Sequence, residues 1–312
     1  MGKNITLKKI VGFMAVFCLL FSVMNIPFYP FINDGYQYLS ILRKSGQVAD
    51  LDSDCLDVIF LGDSECWSSI SPLQLLGEYG IASYNCSTSG QWAGDSLVML
   101  NKILKNQKPS VVVLGANTLF NQVNLYKYML SKMVPILHYH NVYSDDNKKG
   151  GDAAFLGANL SELVVPYTGS ENYMENSVSA QPLEGLMQEK LNGIFQLCQD
   201  NGIQLIMISS PSALNWTQGK HDSIENWCTA NSVDYIDYNE KSVLEKIAFD
   251  WSTDTRDGGD HVNLSGSKKV TSDIGNILKN KFSLKDHRGE SEYSEWLEDY
   301  LTMRIYKNRR NK

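Results

Sequence analysis

A chain of 312 residues with 43% hydrophobic and 20% charged residues and only 8 prolines can bury a real core, and its composition excludes collagen, low complexity and wholesale disorder. The formal charge of −7 argues against a nucleic-acid partner, because phosphate binding needs a basic face. The one basic run, residues 307–312, stands at the extreme C-terminus, where such runs are usually solvated tails.

Lys3, Lys8 and Lys9 precede an uncharged segment from Ile10 to Ile26, close to the shortest length that spans a hydrocarbon core of roughly 30 Å. Lysines on its near side predict a cytoplasmic N-terminus with the remainder of the chain outside. A cleaved signal peptide is the competing reading, but no small-x-small cleavage site follows; the exit is PFYPFINDG. The expected organisation is a cytoplasmic basic segment 1–9, an anchor 10–28, a membrane-proximal linker 29–54 that could hold a helix near YQYLSILRKS, an α/β domain 55–285 with an insertion 118–181, and a charged tail 286–312. Outside the anchor, an odd number of cysteines remains, with no CxxC pair to suggest structural zinc. Cys66 with Cys86, or Cys198 with Cys228, could bridge, although spacing alone does not fix connectivity.

From residue 56 onward apolar runs alternate with amphipathic ones. LDVIFLG has the continuous apolarity of a strand buried on both faces. SPLQLLGEYG follows as a short helix with Ser71 as N-cap and Pro72 in the first turn. IASYNCS is a second strand, AGDSLVMLNKILKNQKP a helix stopped before Pro109, and SVVVLGAN a third strand. The region 118–181 is less regular, with a helical stretch KYMLSKMVPILHYH and a polar loop. A long helix then ends at Asn201-Gly202; IQLIMISSP and VDYIDYN flank a helix SIENWCTANS; and a last helix starts at Asn263 or Ser265. Five strands with intervening helices predict a mostly parallel sheet covered on both faces, with the binding site at the carboxyl ends of the strands.

Those ends carry Gly62-Asp63-Ser64, Ser87 to Gly90, Gly115-Ala116-Asn117 and Ser209-Ser210-Pro211. Ser64 needs a base to become a nucleophile. Of the five histidines, His261 in DTRDGGDHVNLSG lies on a tight loop before the last helix, which returns to the edge of the sheet where Ser64 sits. Gly90 N–H, the Asn117 amide and Ser64 N–H can serve a developing oxyanion. His138 and His140 share a strand face but have no carboxylate or cysteine at metal-site spacing. Asp250, Asp254, Asp257 and Asp260 do not fit a twelve-residue calcium loop. No phosphate-cradling motif occurs, so no metal or cofactor is expected. Trp67 and Trp92 fall beside the candidate site, where they could form an apolar or sugar-stacking wall or pack as core.

Taken together, these blocks resemble the four blocks of the SGNH, or GDSL, hydrolases over residues 55–282. With the N-terminal anchor, the insertion and HVNLSGSKKVT, the chain looks most like the membrane-anchored branch near the D-alanyl-lipoteichoic-acid biosynthesis esterases. The resemblance implies a flavodoxin-like three-layer α/β/α domain and a serine esterase or acyltransferase, with Ser64 as nucleophile, His261 as base, and Gly90 and Asn117 as oxyanion donors. Two positions depart from the family pattern. Glu65 stands where the family has Leu, and at a helix start its charge suits the dipole. Gly258 occupies the usual place of the triad acid, three residues before the histidine. Asp257 can curl under the ring if Gly258-Gly259 folds tightly; Asp260, adjacent to the histidine, is the alternative. The expected substrate is an acylated cell-envelope glycan or polymer. The rival expectation is a non-catalytic envelope protein that binds glycan or an acylation partner on the same fold.

Overall fold

The computed structural model describes residues 2–31, 38–121, 125–139, 152–176, 181–183 and 185–310. His140, the side chain of His138, most of the polar loop and the end of the basic run lie outside the described residues.

The chain opens with helix α1, Gly2–Asn25, and a 3-10 turn, Ile26–Phe31. Leu7–Phe28 is long and apolar enough to cross a membrane, with a mean hydropathy of 2.2. Helix α2, Tyr38–Ala49, leads to β1, Val58–Leu61, the short α3, Ser64–Ser69, and α4, Pro72–Gln74, prolonged by a wider turn to Tyr79. Next come β2, Ser83–Asn85; α5, Ala93–Ile103; β3, Val111–Gly115; and the pair α6, Leu125–Met133, and α7, Pro135–Tyr139. The second half comprises α8, Gly185–Asp200; β4, Gln204–Ser209; α9, Gln218–Asn231; β5, Asp234–Asp237; α10, Lys241–Lys246; α11, Leu264–Lys281; and α12, Ser294–Arg310.

The five strands form one wholly parallel sheet of order β2-β1-β3-β4-β5. Side chains alternate across it, as the pleat requires. Ile59, Leu61, Val112, Leu114, Leu205 and Met207 enter the core shared with α2, α5, α8 and α9; Val58, Phe60, Val111, Val113, Ile206 and Ile208 enter the core closed by α11. Both faces are covered, which explains why the central strands β1 and β3 are apolar throughout, whereas the edge strands β2 and β5 carry polar residues.

The structure resolves several local signals of the sequence. The Ser71 hydroxyl caps α4, and Asn263, rather than Ser265, caps α11. Helix α9 begins earlier than SIENWCTANS, because Thr217 caps it. The six cysteines are free, so neither candidate bridge forms.

Two segments are more tightly built into the domain than their assignment as connection and tail implies. The span 29–54 contains α2 where a helix near YQYLSILRKS is expected, and its Ile41 and Val48 join the core. Its Lys44 is fully buried, with Nζ 2.6 Å from Asp152 Oδ2 and donating to the carbonyls of Asn85 and Gly157. Burial lowers the Lys44 pKa even against the attraction of Asp152. The span assigned to a charged tail, 286–312, contains α12, which packs on α4; Tyr293 and Tyr300 are buried and the Tyr300 hydroxyl donates to Glu78 at 3.0 Å. In the C-terminal segment, charged side chains around the buried Tyr293 and Tyr300 hid the packing in the composition.

Candidate active site

Strand β1 stops at Leu61, and α3 doubles back almost at once. Gly62 permits this, because a Cβ there would fall 2.3 Å from Cys66 Cβ. Asp63 caps α3 by accepting the Glu65 N–H at 3.2 Å, leaving Ser64 as the first residue of the helix, half-buried at the carboxyl edge of the sheet. The first helical bond is Trp67 N–H to Asp63 O, so the Ser64 N–H stands outside the helical ladder.

The other partner comes from the loop before α11. An isolated antiparallel bridge, Thr255 with Val262, closes its base, and Gly258 and Gly259 take left-handed φ values of 80° and 102°. This double left-handed turn draws Asp257, four residues back, beneath the imidazole of His261. Asp257 Oδ2 lies 2.6 Å from His261 Nδ1, and Asp257 Oδ1 accepts the His261 backbone N–H at 2.7 Å. On the far side of the ring, His261 Nε2 lies 2.8 Å from Ser64 Oγ. Asp260 Oδ2 is 3.4 Å from Nδ1, while its other oxygen accepts from the Asn215 amide. Of the two acids left open by the sequence, Asp257 is the one seated on the ring. A hydroxyl, an imidazole and a carboxylate in this chain of contacts can move a proton off the serine as it attacks a carbonyl.

The three candidate oxyanion donors fare differently. Gly90 sits at the exposed end of the loop after β2 with φ 62°. The Asn117 amide is not unengaged as expected: Nδ2 donates to Asp63 Oδ2 at 2.7 Å and to Glu65 Oε1 at 3.3 Å. Both of its hydrogens go to carboxylates, so it could serve an oxyanion only by releasing one, and the longer contact to Glu65 is the cheaper to break.

Glu65 is therefore more than a helix-start charge. It is 3% exposed and accepts from the Asn215 amide at 3.0 Å, which in turn reaches Asp260. Burial first, and then the nearby charge of Asp63, pushes the Glu65 carboxyl well above its usual range; burial also raises Asp63. Lys220 faces both acids and donates to Asn117 Oδ1 at 3.1 Å, its pKa lowered by burial against their pull. Asn121 closes the ring by donating to Asp63 Oδ2 at 3.0 Å. The sequence reading missed Glu65 as a buried acid, together with Asn121, Asn215 and Lys220. The fourth strand end, Ser209-Ser210-Pro211, leads into the loop that carries Asn215 and then into α9, which carries Lys220.

Neither tryptophan forms an open wall. Trp92 is 1% exposed, and Trp67 is half-buried with Nε1 donating to Gly157 O at 2.7 Å. Asp257, Asp260 and His261 bring three ligand-type atoms within 4.8 Å of one another and could hold a cation, but they are the groups already engaged with Ser64 and each other.

The molecule is thus a parallel α/β protein with a Ser–His–Asp constellation at the carboxyl edge of its sheet. No family model matches the chain, and no curated protein matches it. Solved structures similar to it include a GDSL-like lipase from Bacteroides thetaiotaomicron, at 14% identity and TM-score 0.44, covering 78% of this chain and 99% of that one. A psychrotrophic esterase from a Pseudoalteromonas species is similar at 13% identity and TM-score 0.41, over 72% and 98% of the two chains. A lipase/acylhydrolase from Enterococcus faecalis is similar at 16% identity and TM-score 0.39, over 74% and 98%.

Proposed function

We propose that the protein is a membrane-anchored, extracytoplasmic serine esterase or O-acyltransferase of the SGNH type, acting on acyl groups of a cell-envelope glycan or polymer. The observation that carries this reading is the continuous contact from Asp257 through His261 to Ser64 Oγ. Ser64 Oγ attacks the ester carbonyl while His261 Nε2 takes its proton, and Asp257 stabilises the imidazolium. Ser64 N–H and Gly90 N–H, joined by Asn117 once Glu65 lets go, receive the oxyanion. The proton then passes to the departing alcohol and leaves an acyl-serine. Water hydrolyses it, or a sugar hydroxyl takes the acyl group. The substrate class rests on the motif resemblance to the D-alanyl-lipoteichoic-acid branch read from the sequence, and the apolar helix Leu7–Phe28 supports placing the site beside a membrane.

Fluorophosphonate labelling of the full chain in detergent tests this. Wild type should label, Ser64→Ala should not, and His261→Ala should label at least about a hundredfold more slowly. A folded wild type that never labels would overturn the enzyme reading. One observation favours the non-catalytic alternative: two carboxylates hold the amide that an oxyanion would need.

A further inference from the structure

Among the described residues, large hydrophobic side chains are exposed in few places. Apart from residues 7–26 and Leu301, they fall on the loop after β4, on residues 163–165, and on the pair α6 and α7. Leu214 follows β4 and adjoins Asn215. Leu163, Val164 and Val165 form a strap tied to the triad loop, through Val165 N–H to Thr255 O and Gly258 N–H to Val165 O. The longest patch is on α6 and α7, where Tyr126, Met129, Met133 and Leu137 are 75%, 61%, 72% and 58% exposed. Tyr126, Met129 and Met133, three and four residues apart, share one face of α6, and Leu137 lies on α7. Val134 N–H to Leu130 O closes α6; Pro135 has no N–H to donate and the Ile136 N–H goes to Asn25, so α7 starts as a separate helix that carries Leu137.

The inner side of this pair is engaged, since Ser131 and Pro135 are buried. What it engages is the exit of the apolar N-terminal helix. Helix α7 packs on the Ile26–Phe31 turn, and the Ile136 N–H donates to Asn25 Oδ1 at 3.0 Å. Asn25 is itself 3% exposed, so the junction is closed. The apolar surface of Leu7–Phe28 therefore ends where the stripe of α6 and α7 begins. Four residues before α6, Asn121 already belongs to the buried network beneath Ser64.

We infer that α6 and α7 lie on the membrane surface beside the anchor and insert Tyr126, Met129, Met133 and Leu137 into the boundary between headgroups and acyl chains, so that the Ser64 edge of the sheet faces the bilayer. The occupant is lipid because the stripe continues an apolar helix of membrane-spanning length; a soluble partner or a second copy would leave that continuity unexplained. This inference rests on reading Leu7–Phe28 as an uncleaved anchor, and is independent of the chemistry assigned to Ser64.

The test uses the full chain carrying Cys18→Ser and Cys55→Ser, reconstituted in vesicles of three parts phosphatidylethanolamine to one of phosphatidylglycerol. Single spin labels are placed through Met133→Cys, through Phe13→Cys inside the span, and through Lys108→Cys at the amino edge of the sheet. Collision rates with oxygen, which enters lipid, and with a water-soluble nickel chelate are compared. The oxygen-to-nickel ratio at 133 should exceed that at 108 at least fivefold and approach the value at 13. A ratio at 133 equal to that at 108, with 13 still high, overturns the inference while leaving the anchor intact. Low collision with both reagents at 133, with spin–spin broadening that grows with protein density, would put a second copy on the stripe and overturn it too. A low ratio at 13 as well would mean that the anchor reading has failed, and this inference with it.

Discussion

Replacing Asp257 by Asn keeps the shape of the group beneath His261 and removes its charge. Once His261 has taken the Ser64 proton, the imidazolium and the carboxylate face each other with charge centres about 4 Å apart, worth about 4 kcal/mol at an effective dielectric of 20 and about 1 kcal/mol in water. Asp257 is 37% exposed at the side chain and His261 14%, so the site lies between these limits. That range corresponds to a rate loss between roughly fivefold and a thousandfold. An amide can also turn an N–H toward Nδ1 and favour the wrong tautomer, which moves the expectation to about 10²–10³ in kcat/KM. Asp260→Asn should cost no more than about threefold, since its oxygen stands at 3.4 Å and the residue is already held by Asn215. The assay is hydrolysis of a soluble aryl acetate by the two variants in detergent, with fluorophosphonate labelling rates alongside. A larger loss in Asp260→Asn than in Asp257→Asn would refute the assignment of the triad acid.

Glu65→Gln should flatten the dependence of stability on pH. The folded pKa lies above the ordinary 4.5, so the folded state binds the proton more tightly and stability falls as pH rises from about 4.5 toward the folded value. Gln cannot ionise, so melting temperatures of the variant should exceed wild type increasingly above pH 5; parallel curves would count against a buried, raised carboxyl. Lys44→Met strands Asp152 and two carbonyls and should cost about 3–5 kcal/mol, while adding Asp152→Leu should recover at least half of the lost melting temperature. Tyr300→Ala should cost about 3–5 kcal/mol if α12 is part of the core, and an unchanged melting temperature would return that segment to the status of a tail.

The three central strands were legible because β1, β3 and the middle of β4 are continuous apolar runs, the mark of a parallel sheet buried on both sides, while the outer strands β2 and β5 were placed by their position between helices. The Ser64–His261 contact was legible because parallel topology returns every strand end to one edge, whatever the distance along the chain. The neighbourhood of Glu65 was not. Helix α3 is only six residues long, too short for periodicity to say which face turns inward, so a buried acid and a solvent-facing one look alike. Asn117 was found by position, but its present partners depend on how Asp63, Glu65 and Lys220 pack, and no spacing encodes that. Lys44 was hidden for a simpler reason: a lone lysine in a polar-looking helix is almost always solvated, and only a preformed set of acceptors makes burial tolerable.

The Lys44 clamp also limits where the protein can work. It binds α2 into the domain, so only residues 32–37 separate that helix from the turn ending at Phe31, a gap that can span at most about 25 Å. With the apolar helix in a bilayer, the domain could not swing out to sample a volume of solution. Substrate would have to arrive by sliding within the plane of the membrane, or at the root of a polymer attached to it. Turnover would then follow the number of acyl groups per unit of membrane area, and diluting the suspension at constant surface density would leave it unchanged.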